Sequence, residues 1–308
     1  MKSARIDEYL RNPPRGGALA RLAERWREEV WSFRLAGMGG FAACPSLLNK
    51  ARGAWGRALY EAGSDSTRAN RPCDWPRACA ADVFFARRPL VSLGGQMAEI
   101  PKPFVLRARA AGGDLVISLH VFGLARAWGR EAALAFAGAL RTRVRWHDLA
   151  RDGGLFVPRS ISLRQYHHEP PPPAAGARIP RQALIRFLAP PDASAGRLSE
   201  TPELLFARLR MRLCLLARWQ GMELEENWPL LEEDWLNCEL EVLAAREGRG
   251  RAWRGGHKFS NPLEPPFTIR ARGNLERLWP LLALGQRAHA GRGATLGLGE
   301  YELEPEEG

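Results

Sequence analysis

LWPLLALGQRAHAGRGATLGLGEYEL, residues 278–303, is the stretch from which the rest of the chain is read. Leu278, Leu281, Leu282 and Leu284, with Trp279, mark a largely buried helix. Gln286, Arg287, His289 and Arg292 then stand in a loop punctuated by Gly291 and Gly293. Leu296, Leu298, Tyr301 and Leu303 alternate as a half-buried strand does. Glycines at 291, 293, 297 and 299 permit positive φ or let backbone N–H groups approach a bulky ligand. Arg287 and Arg292 beside such N–H groups suit phosphate. The pattern also suits a plain turn before a terminal strand.

Working outward, residues 182–188 (QALIRFL) read as a strand. Thr201-Pro202-Glu203 opens a helix with a capping residue and a first-turn proline, running to about residue 220. A second helical stretch is expected over residues 230–246, and two short strands over 252–273. With the helix near 275–286 and the strand 295–303, the order is β-α-β-β-α-β. The first half reads the same way. Residues 30–41 are a strand with a glycine-rich exit, and 45–62 a helix burying Leu47, Leu48, Ala51, Trp55 and Leu59. Residues 103–122 alternate on both sides of Gly112-Gly113 as a hairpin. Residues 129–144 are an alanine-rich helix and 155–166 a strand. Pro170 to Pro173 form a stiff spacer. The expected fold is therefore α+β, with two tandem ferredoxin-like, RRM-like βαββαβ domains. The first covers residues 30–168, with an irregular insertion near 63–102, and the second 182–308. A Pro-rich linker, 169–181, joins them, and a basic helical extension, 1–29, precedes both.

The 308 residues hold 45 Lys+Arg against 34 Asp+Glu, for a net charge of +11. Five of the acids lie in the last nine residues, so residues 1–299 carry 45 bases against 29 acids, or +16. Arginine dominates the bases, and its planar fork matches phosphate and stacks on nucleobases. A polyanionic partner, nucleic acid first, fits this balance. A GC-rich genome would also raise Arg, Ala, Gly and Pro together. No apolar run is long enough for a membrane helix, so no membrane partner is expected. Five cysteines in a long chain argue against a disulfide framework and for a reducing cytoplasm. The spacing of Cys73 and Cys79 is not a standard zinc pattern, and neither metal nor cofactor is expected. No glycine-rich loop ends in Gly-Lys-Ser/Thr, which disfavours nucleotide hydrolysis.

The terminal motif, Leu281 to Gly293 followed by Leu296-Gly297-Leu298-Gly299-Glu300-Tyr301, resembles that of the CRISPR-associated repeat-RNA endoribonucleases of the RAMP superfamily. Thr201-Pro202-Glu203-Leu204 fits the same template. Ser118-Leu119-His120-Val121-Phe122-Gly123 and Gly53-Ala54-Trp55-Gly56-Arg57 fit it more loosely. The resemblance implies binding of CRISPR RNA at a repeat hairpin and a cut at the stem base without metal. It also implies retention of the product, as a 3′ handle, among other subunits of a CRISPR effector complex. The RNA carries its own nucleophile, the 2′-hydroxyl, and the expected product end is a 2′,3′-cyclic phosphate. The protein has to align this nucleophile, move two protons and stabilise the phosphorane.

In many members of the resembled family a histidine lies in or just before the first helix. Here that helix offers Lys50, Arg52, Arg57 and Tyr60. Three accounts stay open. Arg52 or Arg57, with Arg34 from the first strand, aligns the phosphate. Alternatively His289 in the glycine loop carries protons. Or the chain binds the RNA without cutting it, as a subunit of the ribonucleoprotein. Expected RNA contacts are Lys50, Arg251, Arg254, His257, Lys258, Arg270 and Arg272, with Arg287, Gly291, Arg292 and Gly293 of the loop. Recognition should rest on stem shape and phosphates.

Overall fold

The computed structural model describes residues 1–44, 46–149, 158, 160–168, 180–189, 196–243 and 266–306. The chain forms two compact units. One comprises Met1–Pro14, Arg27–Glu169 and Arg218–Gly221; the other Arg15–Trp26, Pro170–Ala217 and Met222–Gly308.

In the first unit, β1 (Glu28–Leu35) alternates Trp31, Phe33 and Leu35 inward with Ser32 and Arg34 outward. Helix α1 (Leu47–Glu61) follows, then the hairpin of β2 (Phe104–Ala111) and β3 (Asp114–Phe122). Gly112 and Gly113 both adopt positive φ in its two-residue turn. Helix α2 (Gly129–Thr142) and β4 (Ile161–His168) complete the unit. The sheet order is β2-β3-β1-β4, antiparallel throughout. That order, with one crossover helix in each half, is the ferredoxin-like arrangement. Both helices lie on the inward face, where Trp55 of α1 makes edge contacts with Phe85 and Phe104, each at 5.0 Å. Its Nε1 donates to the Ala132 carbonyl of α2 at 3.0 Å. Phe33 of β1 meets Phe136 of α2 at 5.0 Å. The expected irregular insertion holds a short helix, Ala80–Phe85, and a two-stranded ribbon of Leu90–Leu93 and Gln96–Glu99.

The second unit repeats the plan. Its elements are β5 (Gln182–Ala189), α3 (Leu204–Ala217), β6 (Glu239–Leu243), β7 (Thr268–Arg272), α4 (Trp279–Ala288) and β8 (Glu300–Glu306). The order β6-β7-β5-β8 is again antiparallel throughout. The tandem ferredoxin-like fold expected from the sequence is thus present.

Two local expectations are corrected. The stretch expected as one helix over 230–246 is a short helix, Trp228–Leu236, followed by strand β6. Glu239 and Glu241 face Arg272 and Arg270 of β7 in register, and this cross-strand pairing outweighs the helix propensity of Glu and Leu. The terminal strand begins at Glu300, not Thr295, because Gly297 and Gly299 hold positive φ and interrupt the ladder.

Candidate nucleic-acid interface

The outward stripe of α1 carries Lys50 and Arg57, seven residues apart and so on one side of the helix. At its start, a 3-10 turn, Trp146–Asp148, comes alongside. Trp146 anchors that turn, with its ring 5.5 Å from Phe41 and its Nε1 donating to Leu140 O at 2.9 Å. The turn delivers two polar side chains. Lys50 Nζ donates to Asp148 Oδ2 at 3.3 Å, and His147 Nε2 lies 3.0 Å from Asp148 Oδ1. About half of the His147 side chain is exposed. At the far end of the stripe, Arg143 forks onto Glu61 at 2.8 and 2.6 Å. The Arg143 bonds, with the Arg57 charge behind them, hold the Glu61 carboxyl below its ordinary pKa. The first helix therefore has a histidine beside it after all. It comes from a turn more than eighty residues further on, and the only sequence signal was His147-Asp148 next to an anchoring tryptophan.

Arg52 does not share this stripe. Five residues before Arg57, it lies about 140° away around the helix. It points along Phe85, its guanidinium carbon 5.3 Å from the ring centroid. Gly56 leaves the room for that ring, since a Cβ there would sit 3.0 Å from Phe85 Cε1. Burial lowers the Arg52 pKa below its ordinary value, and its buried Nε has no hydrogen-bond partner among the described residues. Lys102, in the same neighbourhood, donates to Ala86 O and to Glu99 at 3.1 Å. Its pKa is lowered, by burial first. Arg34 is on the opposite face of the sheet from α1, bound to Asp114 at 2.6 Å. The expectation that Arg34 joins Arg52 or Arg57 at one phosphate is therefore corrected: the sheet separates them.

In the second unit the glycine loop leaves α4 at His289, which has φ of 64°. The His289 side chain is fully buried, and its Nδ1–H donates to Leu298 O at 3.2 Å. Ala290 N–H donates to Gly299 O at 2.8 Å, and Leu296 and Leu298 donate to Gly293 O at 2.7 and 3.2 Å. Gly291, Gly293, Gly297 and Gly299 all have positive φ. Any Cβ on Gly299 would run into the Ala290 carbonyl. Below the loop, the buried Tyr301 hydroxyl donates to Leu282 O at 2.5 Å. His289 is thus a brace for the loop. With no accessible surface it cannot meet an RNA hydroxyl, and the expectation of a proton carrier there is corrected. Arg292 is exposed at the loop tip, and Arg287 is half-buried in the last turn of α4. The N–H groups of Gly291, Arg292 and Gly293 donate to no other described backbone carbonyl.

Arg270 and Arg272 were expected to extend a basic tract. Arg270 instead bonds Glu241 at 2.9 Å and Glu306 at 3.0 Å, and these bonds raise its pKa. Arg272 bonds Glu239 at 3.3 Å. Glutamates on β6, with Glu306 reaching across from β8, meet these two charges among the described residues. Arg251, Arg254, His257 and Lys258 lie outside the described residues. No helix among the described residues is long and apolar enough to cross a membrane.

No family profile matches the chain, and no curated protein does. Among solved structures it is similar to Thermus thermophilus Cas6, at 16% identity over 90% of this chain and 98% of that one, with a TM-score of 0.44. It is similar to a Cas6 in a product complex, at 15% identity over 90% and 99%, with a TM-score of 0.40. It is also similar to the CRISPR endoribonuclease Cse3 bound to a 19-nucleotide RNA, at 13% identity over 91% and 100%, with a TM-score of 0.32. The class of fold, two tandem ferredoxin-like units, is set by the strand orders given above.

Proposed function

We propose that this protein binds the hairpin repeats of precursor CRISPR RNA and cuts them at the stem base by 2′-hydroxyl attack. The substrate class comes from the resemblance of the terminal motif. The observation that carries the chemistry is Asp148, which binds Lys50 at 3.3 Å and lies 3.0 Å from His147 at the start of α1. Nε2 of His147 faces Asp148 at 3.0 Å, and a ring that carries its proton on that nitrogen keeps a lone pair on Nδ1. That lone pair accepts the 2′-hydroxyl proton as the oxygen attacks phosphorus. The P–O5′ bond breaks, a proton returns to the 5′-oxygen, and a 2′,3′-cyclic phosphate is left. Lys50 and Arg57 sit along the same stripe to take the charge that grows on the phosphorane. Exposed Arg292 and the N–H groups at 291–293 offer a second phosphate contact.

The test is a labelled repeat hairpin RNA incubated in excess EDTA, beside the same RNA with a 2′-deoxy residue at the cut. A single cut in the ribose substrate only, lost in His147→Ala, supports the reading. Tight binding with both substrates intact would make the chain a guide-holding subunit instead.

A further inference from the structure

The two sheets share one topology but have outer faces of opposite charge. On the second sheet Arg186, Arg270 and Arg272 share the outward positions with Glu239, Glu241, Glu302, Glu304 and Glu306. The arginines are taken up by the acids, Arg186 by Glu304 at 3.0 Å among them. On the first sheet the register places two rows side by side. One runs Arg107, Ser118, Ser32, Arg164 across β2, β3, β1 and β4. The next runs Arg109, Val116, Arg34, Ser162. Against four arginines, the described outward positions hold two acids. Glu28 is buried at one end against His120 at 2.5 Å, and Asp114 binds Arg34.

That first end of the sheet is closed. Gln220 exchanges bonds with the Arg27 backbone at 3.1 and 3.0 Å, and Trp219 donates to Pro101 O at 2.9 Å. Toward the hairpin turn the face is open: Arg109, Arg164 and Ser162 are exposed, Arg34 is 54% exposed, and Tyr166 is 50% exposed.

We infer that this open face binds single-stranded RNA, which under the reading proposed above is the unpaired flank of the repeat. Rows about 7 Å apart on a flat surface suit an extended strand, not a duplex groove. Arginine forks take phosphates, and guanidinium planes and the Tyr166 ring take base faces. The serines between them offer donors and acceptors to sugar and base edges. The matched glutamates exclude the same ligand from the second sheet.

The test uses fluorescence anisotropy with two probes, a single-stranded oligouridine of about twelve nucleotides and a blunt repeat hairpin without flanks. Arg109→Glu with Arg164→Glu should weaken oligouridine binding by about tenfold or more and lower its salt slope. Hairpin binding should stay within about twofold. Arg109→Ala with Arg164→Ala should show the same direction more mildly, and Arg186→Ala on the second sheet should leave both probes unchanged. Oligouridine binding that survives both double variants overturns the inference while leaving the repeat-RNA reading intact. Equal losses on both probes overturn it too, since the face would then be a general polyanion contact. A wild-type protein that binds neither probe removes the repeat-RNA reading itself.

Discussion

His147 Nε2 lies 3.0 Å from Oδ1 of Asp148, whose other oxygen holds Lys50 of α1. If this pair moves the 2′-hydroxyl proton, His147→Ala lowers single-turnover cleavage by roughly 10²- to 10⁴-fold with RNA affinity little changed. Added imidazole restores part of the rate, which a merely structural histidine would not allow. Asp148→Asn keeps an acceptor and should cost less than His147→Ala. Equal rates in wild type and His147→Ala would exclude this residue as the proton carrier.

The two helix arginines should separate in their effects. Arg57 is exposed on the Lys50 stripe, and Arg57→Ala should slow cleavage by about tenfold or more without changing the melting temperature. Arg52 lies against Phe85, its buried Nε without a partner among the described residues. Arg52→Met, which retains the stacked stem, should hold cleavage within a few-fold of wild type. Chemical denaturation and a cleavage time course on each variant decide the matter.

His289→Ala should behave as a folding variant. It removes the donor to Leu298 O and leaves that part-buried carbonyl without this bond, at a cost of about 1–3 kcal/mol. Cleavage normalised to folded protein should stay at the wild-type level. A large loss of rate with unchanged urea midpoint would return His289 to the chemistry.

Glycines separate cleanly by position. Gly299→Ala puts a side chain into the Ala290 carbonyl at φ of 73° and should cost at least about 2 kcal/mol. Gly138, inside α2 with open space around its Cβ position, should accept alanine and stabilise by about 0.5–1 kcal/mol. Thermal melts of the two variants should move in opposite directions.

Asp114 gives the acid limb. The Gly37 N–H, then Arg34, hold its carboxyl below the ordinary aspartate range. A carboxylate lowered on folding adds stability above its unfolded pKa near 3.9 and loses it as pH falls through the folded value. Asp114→Asn should therefore lower stability at neutral pH and converge with wild type in strong acid. Urea midpoints across pH 2–7 that stay parallel would show that Asp114 contributes nothing to this limb.

Much of the fold was legible in the chain. Residues 103–122 show their hairpin because strict alternation surrounds two glycines. Trp31, Phe33 and Leu35 likewise fix the face of β1. That same parity sends Arg34 outward, away from α1, and could have been used to keep it out of the helix site. Other features were not legible, for physical reasons. Glu239–Leu243 has a helix former's composition, and only its partners Arg270 and Arg272 make it a strand. A histidine among glycines reads as exposed, yet positive φ and a carbonyl partner bury His289. His147 reaches α1 only through tertiary packing of Trp146, which local sequence does not encode.

Arg218 donates to Leu10 O and Arg11 O at 3.1 and 2.7 Å, so a piece of chain from beyond α3 completes the first unit. Likewise Arg15–Gly17 pairs with Met222–Leu224 in the second. During synthesis, then, the first unit stays unfinished until residue 221 has left the ribosome, and the second unit's early segment, 15–26, waits for partners made much later. Cutting the gene at the proline run would yield two fragments that each lack a part. Co-expressed halves would have to find one another before either reached its native form.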